Sequence, residues 1–314
     1  MRNQTQKIMA EENHGASSDT IQIIKLILNI LWGILITAYY IILDIYHIFS
    51  PREKKSLKGQ HVLVTGAGRG LGREFALRFA KEGCRITCVD VDKNGCDETV
   101  SMINKDFPDT AKSYNTDITS QEQIAKLAEV MKKEKTNNMV NNAGIVSAQN
   151  LMDVTPEHVK RMVEVNLMSH FWTIKQFLPD MKSRKKGHIV AVSSVAAFTV
   201  AANIAPYSAT KCAVTGLMGC LREELRFTFP DIHTTTVHPF FISPPQKYQH
   251  WSINSILPEV TAADVAAAAL SGLKQNKKTV TIPSYMYYTL LLIHSLPTKA
   301  ADLWRDIFFA KINN

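Results

Sequence analysis

The sequence predicts an α/β protein, in which a hydrophobic helix precedes one domain built on a doubly wound parallel sheet. Short β-rich runs alternate with helical patterns over residues 59–283, and a glycine-rich turn follows the first run. Near the N-terminus, eighteen residues are almost wholly apolar. Alternating strands and helices form parallel sheets covered on both faces, and residues 59–283 contain no repeat or Pro-rich linker, so one domain is expected.

The strands are the short runs rich in β-branched and other apolar residues. The first run, HVLVT, leads directly into glycines, which predicts a tight turn after it. The predicted strands are His61–Thr65, Arg85–Asp90, Ser113–Thr116, Asn138–Asn141, His188–Ser193, His233–His238 and Thr279–Ile282.

Segments with helical patterns separate the strands. Pro206 suits the first turn of a helix, where a backbone N–H would have no partner. The predicted helices are Glu74–Lys81, Lys93–Lys105, Gln121–Lys133, Pro156–Met181, Pro206–Phe227 and Ala262–Leu273.

Composition narrows the classes of function. The chain has 314 residues, 46% hydrophobic content and a net charge of +8. The basic excess suits an anionic membrane better than a nucleic acid, because its densest cluster, residues 52–58, directly follows the apolar stretch. Five cysteines without a Cys-x-x-Cys spacing predict free thiols in a reducing compartment, and no metal site is expected.

The apolar stretch Leu26–Leu43 predicts a membrane-anchor helix over residues 21–46, between a disordered segment at residues 1–20 and a basic linker at residues 51–58. About 20 apolar residues cross a bilayer as a helix. A cleaved signal peptide fits poorly, because its apolar region would be shorter and followed by a cleavage site. A helix lying flat in the membrane interface and a buried core helix remain alternatives.

Residues Thr65–Gly72 read TGAGRGLG and predict a binding site for a dinucleotide. Glycines between a first strand and a first helix let the backbone turn tightly and approach a pyrophosphate, to which the helix presents free N–H groups. No Gly-Lys-Ser/Thr follows, which excludes a P-loop, and a plain turn remains the alternative.

Asp90 ends the second predicted strand, 18 residues after Gly72. A carboxylate there can accept hydrogen bonds from the adenosine ribose and would repel a 2′-phosphate, so NAD is the expected cofactor. Arg69 could instead attract that phosphate, which keeps NADP as the alternative. Asp90 could also serve only as a turn former beside Asp92 and Asn94.

Tyr207 and Lys211 lie four residues apart, and Ser194 precedes the tyrosine by thirteen. On a helix, positions i and i+4 share a face. A tyrosine pKa near 10 is too high for a base at neutral pH, but a nearby ammonium favours the phenolate. The trio predicts a hydroxyl–carbonyl redox site, although so short a pair also arises by chance and needs a supporting context.

That context resembles a short-chain dehydrogenase/reductase over about residues 59–283. The motifs that carry the resemblance are TGAGRGLG, NNAG at residues 141–144, Asn166, Ser194 and YSATK at residues 207–211. The hydrophobic N-terminus and the motifs NNAGIV, FLPDM and HPFFI resemble the membrane-bound branch of epidermal retinol and 17-beta-hydroxysteroid dehydrogenases. The resemblance implies a Rossmann fold.

The resemblance also implies a role for each matching residue. Tyr207 would be the general acid/base, Lys211 would bind the nicotinamide ribose and lower the tyrosine pKa, and Ser194 would hold the substrate oxygen. Asn166 would position a water in a proton relay, and Asp117 would lie beside the adenine. The expected cofactor-binding residues are Gly66, Arg69, Gly70, Leu71, Gly72, Asp90, Asp117, Asn142, Ala143, Gly144, Lys211 and Ser243.

Two departures bear on the substrate. Pro239 is followed by Phe240 and Phe241, where the wider family usually has Pro-Gly, and this matches the retinoid/steroid branch. Ser243 stands where a threonine usually contacts the nicotinamide carboxamide.

The expected function is therefore hydride transfer between NAD(H) and a lipophilic alcohol, ketone or aldehyde, either retinol/retinal or a hydroxysteroid. The enzyme would be anchored in the endoplasmic reticulum membrane or on a lipid droplet. The alternative is a non-catalytic scaffold that binds a nucleotide or coats lipid droplets.

The apolar C-terminal segment, residues 284–314, is expected to be helical, and either to contact the membrane or to pack on the core or on the partner in a homodimer.

Charge flanking the apolar stretch predicts its orientation. Arg2 and Lys7 precede the stretch, whereas Arg52, Lys54, Lys55 and Lys58 follow it, so the positive-inside rule places residues 51–314 in the cytosol. Proteinase added to intact microsomes should degrade this region. Protection of residues 51–314 under those conditions would contradict the orientation.

Overall fold

The first of two units is a single helix. The computed structural model describes residues 2–50, 53–199, 201–243, 252–255, 257–308 and 311–313, and the chain divides into units at residues 1–53 and 54–314. Helix α1 spans Arg2–Phe49, and within it Ile21–His47, with a mean hydropathy of 2.2, is long and apolar enough to cross a bilayer by length and composition. Because α1 includes the polar residues 2–20, for which the sequence predicts disorder, the domain boundary at residue 20 stays a prediction.

The second unit contains a parallel sheet of seven strands in the order β3-β2-β1-β4-β5-β6-β8. The order reverses between β1 and β4, which are neighbours, and this is the switch point of a doubly wound fold. The strands are β1 His61–Thr65, β2 Arg85–Asp90, β3 Ala111–Asn115, β4 Asn138–Asn141, β5 Gly187–Val192, β6 Ile232–Pro239, β7 Ser252–Asn254, β8 Thr279–Ile282 and β9 Lys311–Asn313. Strands β7 and β9 form a separate antiparallel pair that the sequence did not predict.

Helices cover both faces of the sheet, as the sequence predicts. Strand β1 is buried throughout, and its successive side chains pack on opposite faces of the sheet. Val62 and Val64 pack with α2, α3 and α8, whereas Leu63 packs with α4, α6 and α7. The helices are α2 Gly70–Lys81, α3 Lys93–Asp106, α4 Gln121–Met131, α5 Pro156–Val163, α6 Ser169–Ser183, α7 Ala205–Leu225, α8 Ala262–Lys274, α9 Met286–Ser295 and α10 Thr298–Phe308.

The structure corrects one long predicted helix. Residues Pro156–Met181 were predicted as a single helix, but a π-helical turn at Glu164–Met168 separates α5 from α6. Such turns are often found at functional sites, and this one contains Asn166. Helix α2 also begins at Gly70, four residues before its predicted start, because the helix starts within the glycine loop.

The basic linker is held at the amino-terminal edge of the sheet. The Lys55 backbone N–H donates to the Lys274 carbonyl over 2.9 Å, and Lys55 Nζ donates to Asn276 Oδ1 over 2.8 Å and to His188 Nδ1 over 2.9 Å. His188 lies near the start of β5, and Leu57 is buried in the core beside β1. These contacts fix the point at which the chain enters the second unit.

Two helical glycines allow a matched test of the packing between α8 and β8. A Cβ at Gly272 would overlap Val280 Cγ2, whereas a Cβ at the exposed Gly216 in α7 would meet nothing within 4 Å. Gly272→Ala should lower the free energy of unfolding by about 1–3 kcal/mol through overpacking. Gly216→Ala should raise it by about 0.5–1 kcal/mol through helix propensity. Urea unfolding of both variants measures the difference, and equal effects would contradict the described packing.

Candidate active site

The predicted site residues come together at the carboxyl-terminal edge of the sheet. The glycine loop follows β1, Asp90 ends β2, residues 142–144 follow β4, and Ser194 follows β5. Parallel strands align these ends, so residues far apart in sequence line one crevice at the switch point.

The glycine loop approaches its neighbours too closely for larger residues. Gly66 has φ +67°, and a Cβ there would lie 2.8 Å from Ala143 Cα, whereas a Cβ at Gly72 would overlap the Gly66 carbonyl oxygen. The residue preceding α2, Arg69, makes no side-chain capping bond to the helix. The start of α2 therefore has no side-chain cap from Arg69, and a helix N-terminus of this kind suits a pyrophosphate.

A threonine that the sequence analysis missed ties the loop to the segment after β4. Thr65 Oγ1 accepts hydrogen bonds from the backbone N–H groups of Asn142 (3.0 Å) and Ala143 (3.2 Å). In return, Asn142 Nδ2 donates to the Thr65 carbonyl over 2.9 Å. Thr65 resembled any other strand residue, and its only signal was its place directly before the first glycine.

A cavity of about 300 Å³ lies beside the loop. Asp90 lines it, and its carboxylate accepts from the Gly68 N–H over 2.8 Å and from the Asp92 N–H over 3.0 Å. The other predicted residues in its lining are Gly66, Arg69, Leu71, Gly72, Asp117, Asn142, Ala143 and Gly144. Arg161 of α5, which was not predicted, also lines it and lies 3.9 Å from the Asp117 carboxylate.

A second cavity, of about 270 Å³, adjoins the first and shares Leu71, Asn142, Gly144 and Ile145 with it. Its polar end contains Ser194, Tyr207 and Lys211. Most of the remaining wall is apolar, with Val146, Val195, Ile204, Phe240, Phe241 and Ile242.

Tyr207 and Ser194 are in direct contact. Burial raises the pKa of Tyr207, and a hydrogen bond from Ser194 opposes that shift by favouring the phenolate. Ser194 is itself positioned by its neighbours: its hydroxyl accepts from the Ala196 N–H over 3.1 Å, and its carbonyl accepts from His238 Nδ1 over 3.1 Å. His238, from β6, is a positioning residue that sequence reasoning missed.

Lys211 is a buried cation without a carboxylate partner among the described residues. Its Nζ lies 5.5 Å from the centre of the Tyr207 ring and donates to the Val192 carbonyl over 2.9 Å. Burial lowers the pKa of Lys211 to about 8. The resemblance implied that Lys211 lowers the tyrosine pKa, but in this structure the burial of both groups dominates their shifts.

Three predicted residues lie outside the linings of both cavities. Asn166 is buried, and its amide bonds to both backbone groups of Ile145 (2.8 and 2.9 Å) and to Thr210 Oγ1 (3.2 Å). Ser243 donates to Glu259 Oε2 over 2.6 Å, and Gly70, at φ +55°, shapes the turn into α2.

Known proteins share this sequence pattern. The family described as short chain dehydrogenase matches residues 60–251. The chain is 32% identical over 294 residues to 17-beta-hydroxysteroid dehydrogenase 13 of Rattus norvegicus, an alignment that covers 92% of this chain and 97% of that protein. It is also 32% identical over 264 residues to epidermal retinol dehydrogenase 2 of Homo sapiens, covering 82% and 84%.

Solved structures share the fold. A short-chain dehydrogenase/reductase from Burkholderia phymatum in complex with NAD superposes with a TM-score of 0.69 at 22% identity, covering 80% of this chain and 96% of that one. A 3-ketoacyl-(acyl-carrier-protein) reductase from Brucella melitensis complexed with NADH gives a TM-score of 0.65 at 27% identity, covering 72% and 98%.

The buried lysine predicts a pH dependence of stability. Between pH 8 and 10.5 an unfolded lysine retains a proton that folded Lys211 has released, so this group makes the free energy of unfolding rise with pH. Between pH 7.5 and pH 10 the free energy of unfolding of the wild type should rise by about 2 kcal/mol more than that of Lys211→Met.

Urea unfolding at the two pH values, with Lys175→Met on the exposed surface of α6 as the control, measures this gain. Identical pH dependence in wild type and Lys211→Met would contradict the burial of the charge.

Proposed function

The chain belongs to the short-chain dehydrogenase family, and from this premise we propose that it is a membrane-anchored oxidoreductase that transfers hydride between NAD(H) and a lipophilic alcohol or carbonyl compound. Dependence on NAD or NADP follows from the family. The observation that carries the proposal is the convergence of Ser194, Tyr207 and Lys211 at the polar end of an apolar cavity that adjoins the nucleotide cavity.

In this proposal Tyr207 exchanges a proton with the substrate oxygen. Its raised pKa keeps the phenol protonated at neutral pH, so it is ready to donate to a carbonyl. In the oxidising direction, the charged form of Lys211 favours the phenolate, and the Ser194 hydroxyl holds the substrate oxygen beside Tyr207. The bound cofactor supplies or accepts the hydride, and the protein aligns it against the substrate.

We assign Asn166 a positioning role first. Its Nδ2 donates to the Ile145 carbonyl and to Thr210 Oγ1, and its Oδ1 accepts from the Ile145 N–H, so it fixes a residue that lines both cavities. The relay water that the resemblance implies for Asn166 remains a proposal. A role for Ser243 at the nicotinamide carboxamide is also a proposal, because its hydroxyl donates a hydrogen bond to Glu259 in this structure.

The residues of the cavity beside the glycine loop fit a dinucleotide. The glycine loop and the start of α2 suit a pyrophosphate, and Asp90 suits the ribose hydroxyls of adenosine while repelling a 2′-phosphate. NAD is therefore the proposed cofactor. NADP remains the alternative because Arg69, which could attract a 2′-phosphate, lines the same cavity.

The apolar walls of the second cavity support a lipophilic substrate. The relatives are named for 17-beta-hydroxysteroids and for retinol, so retinol/retinal or a hydroxysteroid is the proposed substrate class. Helix α1 is long and apolar enough to anchor the protein in a membrane, by length and composition. The endoplasmic reticulum membrane or a lipid droplet is the proposed location, with the catalytic unit in the cytosol.

A cofactor and substrate screen tests this proposal. Full-length protein in microsomes, incubated with NAD⁺ or NADP⁺ and with retinol, hydroxysteroids or fatty alcohols, should reduce NAD⁺ in preference. Tyr207→Phe should lower turnover at least a thousandfold while cofactor binding, measured by fluorescence, is retained, because only the proton-transferring hydroxyl is removed.

Each part of the screen has a contrary result. Preference for NADP⁺ would overturn the role of Asp90, and a fully active Tyr207→Phe variant would remove the mechanism. Cofactor binding without turnover on any substrate would favour the scaffold alternative.

A further inference from the structure

Helix α9 is apolar on two faces, and the described residues of the second unit bury one of them. Met286, Leu290 and Ile293 are buried against Val195 and Phe240. The opposite side presents Tyr288, which is 73% exposed, and Leu292, which is 64% exposed. A helix that is apolar all round is normally surrounded by protein or lipid, so the open side needs an occupant.

Helix α10 packs against α9 and carries exposed apolar residues of its own. Leu303, Trp304 and Ile307 lie within one stripe along α10, Lys299 lies one turn before Leu303 at the end of that stripe, and Asp302 and Asp306 flank it. We call the exposed apolar residues of these two helices the outer face. Its members are Tyr285, Tyr288, Leu291 and Leu292 of the α9 segment and Leu303, Trp304 and Ile307 of α10.

The inner side of α9 lies directly behind the wall of the substrate cavity. Val195 and Phe240 line that cavity and pack on α9. Phe198, in the turn that follows Ser194, meets the Tyr287 ring edge-on at 5.7 Å, and its carbonyl accepts a hydrogen bond from His294 of α9. One helix thus supports the cavity wall and the segment after Ser194, and also carries half of the outer face.

Composition and chain connectivity indicate which occupant fits. Tyrosine and tryptophan mixed with leucine and isoleucine are typical of the boundary between headgroups and acyl chains. The chain carries a net charge of +8, which suits an anionic lipid surface. Six residues, 51–56, separate Ser50, after the apolar helix, from buried Leu57, so the two Cα atoms are at most roughly 25 Å apart. An anchored chain would therefore keep the second unit within reach of a bilayer.

We propose that the outer face of α9 and α10 docks on a lipid surface and thereby holds the wall of the substrate cavity against the phase in which the substrate is dissolved. This rests on the proposed membrane anchor and substrate class. It adds a second, peripheral contact with lipid, made by the catalytic unit itself.

Depth measurements on the full chain test the docking. A spin label is placed at Leu292→Cys in a background with the exposed Cys212 and Cys220 replaced by serine, and the protein is reconstituted into phosphatidylcholine–phosphatidylserine vesicles. The control label is at Val130→Cys on α4, a residue with a similar exposure of 62%. The label at position 292 should collide mainly with oxygen dissolved in lipid, and the label at position 130 mainly with a water-soluble nickel chelate.

The outcomes separate the two proposals. If the protein floats with the vesicles but both labels contact the nickel chelate equally, the anchor stands and the docking is overturned. If the protein does not float, the proposed anchor fails and the docking fails with it. If position 292 is shielded from both probes and pairs of labels show a short distance between two chains, a second copy occupies the outer face and the proposal is overturned.

Kinetics provide an independent measurement. Leu292→Glu should raise KM severalfold for an alcohol dissolved in vesicles, because a charge on the outer face opposes docking. Its kcat, and its KM for a short water-soluble alcohol, should match the wild type. Val130→Glu is the control, and its kcat and its KM for both alcohols should match the wild type. Equal KM values for Leu292→Glu and wild type on the vesicle-dissolved alcohol would contradict the proposal.

Discussion

The close approach of two backbone segments at the switch point is the constraint on which the site depends. Gly66 lies against Ala143, and Gly72 lies against the Gly66 carbonyl, so the turn after β1 and the turn after β4 form one continuous wall. Thr65 and Asn142 join these turns by hydrogen bonds in both directions. Because residues of this wall line both adjoining cavities, a ligand in one cavity is held in a fixed position relative to a ligand in the other.

The proposed catalytic groups are placed by two different kinds of element, a long helix and a turn. Tyr207 and Lys211 lie on one face of a 21-residue helix whose inner side is buried, so their spacing is fixed by helix geometry. Ser194 lies in a turn and is held by hydrogen bonds from His238 and from the Ala196 N–H. Helix α9 supports the same turn indirectly, through the hydrogen bond from His294 to the Phe198 carbonyl. Lys211 is buried with no carboxylate partner among the described residues, and burying such a charge lowers stability. Proteins often tolerate a cost of this kind at functional sites.

The parts of this structure that local sequence determines were predictable. The alternation of strands and helices, the glycine turn and the Tyr207–Lys211 spacing are short-range patterns, and the structure confirms the fold class. The π-helical turn at Asn166 was not predictable. The Asn166 side chain is bonded to the backbone of Ile145, which is 21 residues away, and only the fold brings the two together. The bond between Ser243 and Glu259, and the raised pKa of Tyr207, depend in the same way on neighbours and burial that no local pattern records.

The grip on the linker has a mechanical consequence. Lys55 is bonded to the end of α8 and to His188 at the start of β5, whereas Ser194 and the glycine loop lie at the opposite ends of the strands. A force applied to the chain at residue 53 would act first on the hydrogen bonds of Lys55 and on buried Leu57. It would then be distributed over the seven hydrogen-bonded strands of the sheet. If α1 is embedded in lipid as proposed, drag on it would load the sheet at the edge opposite Ser194 and the glycine loop.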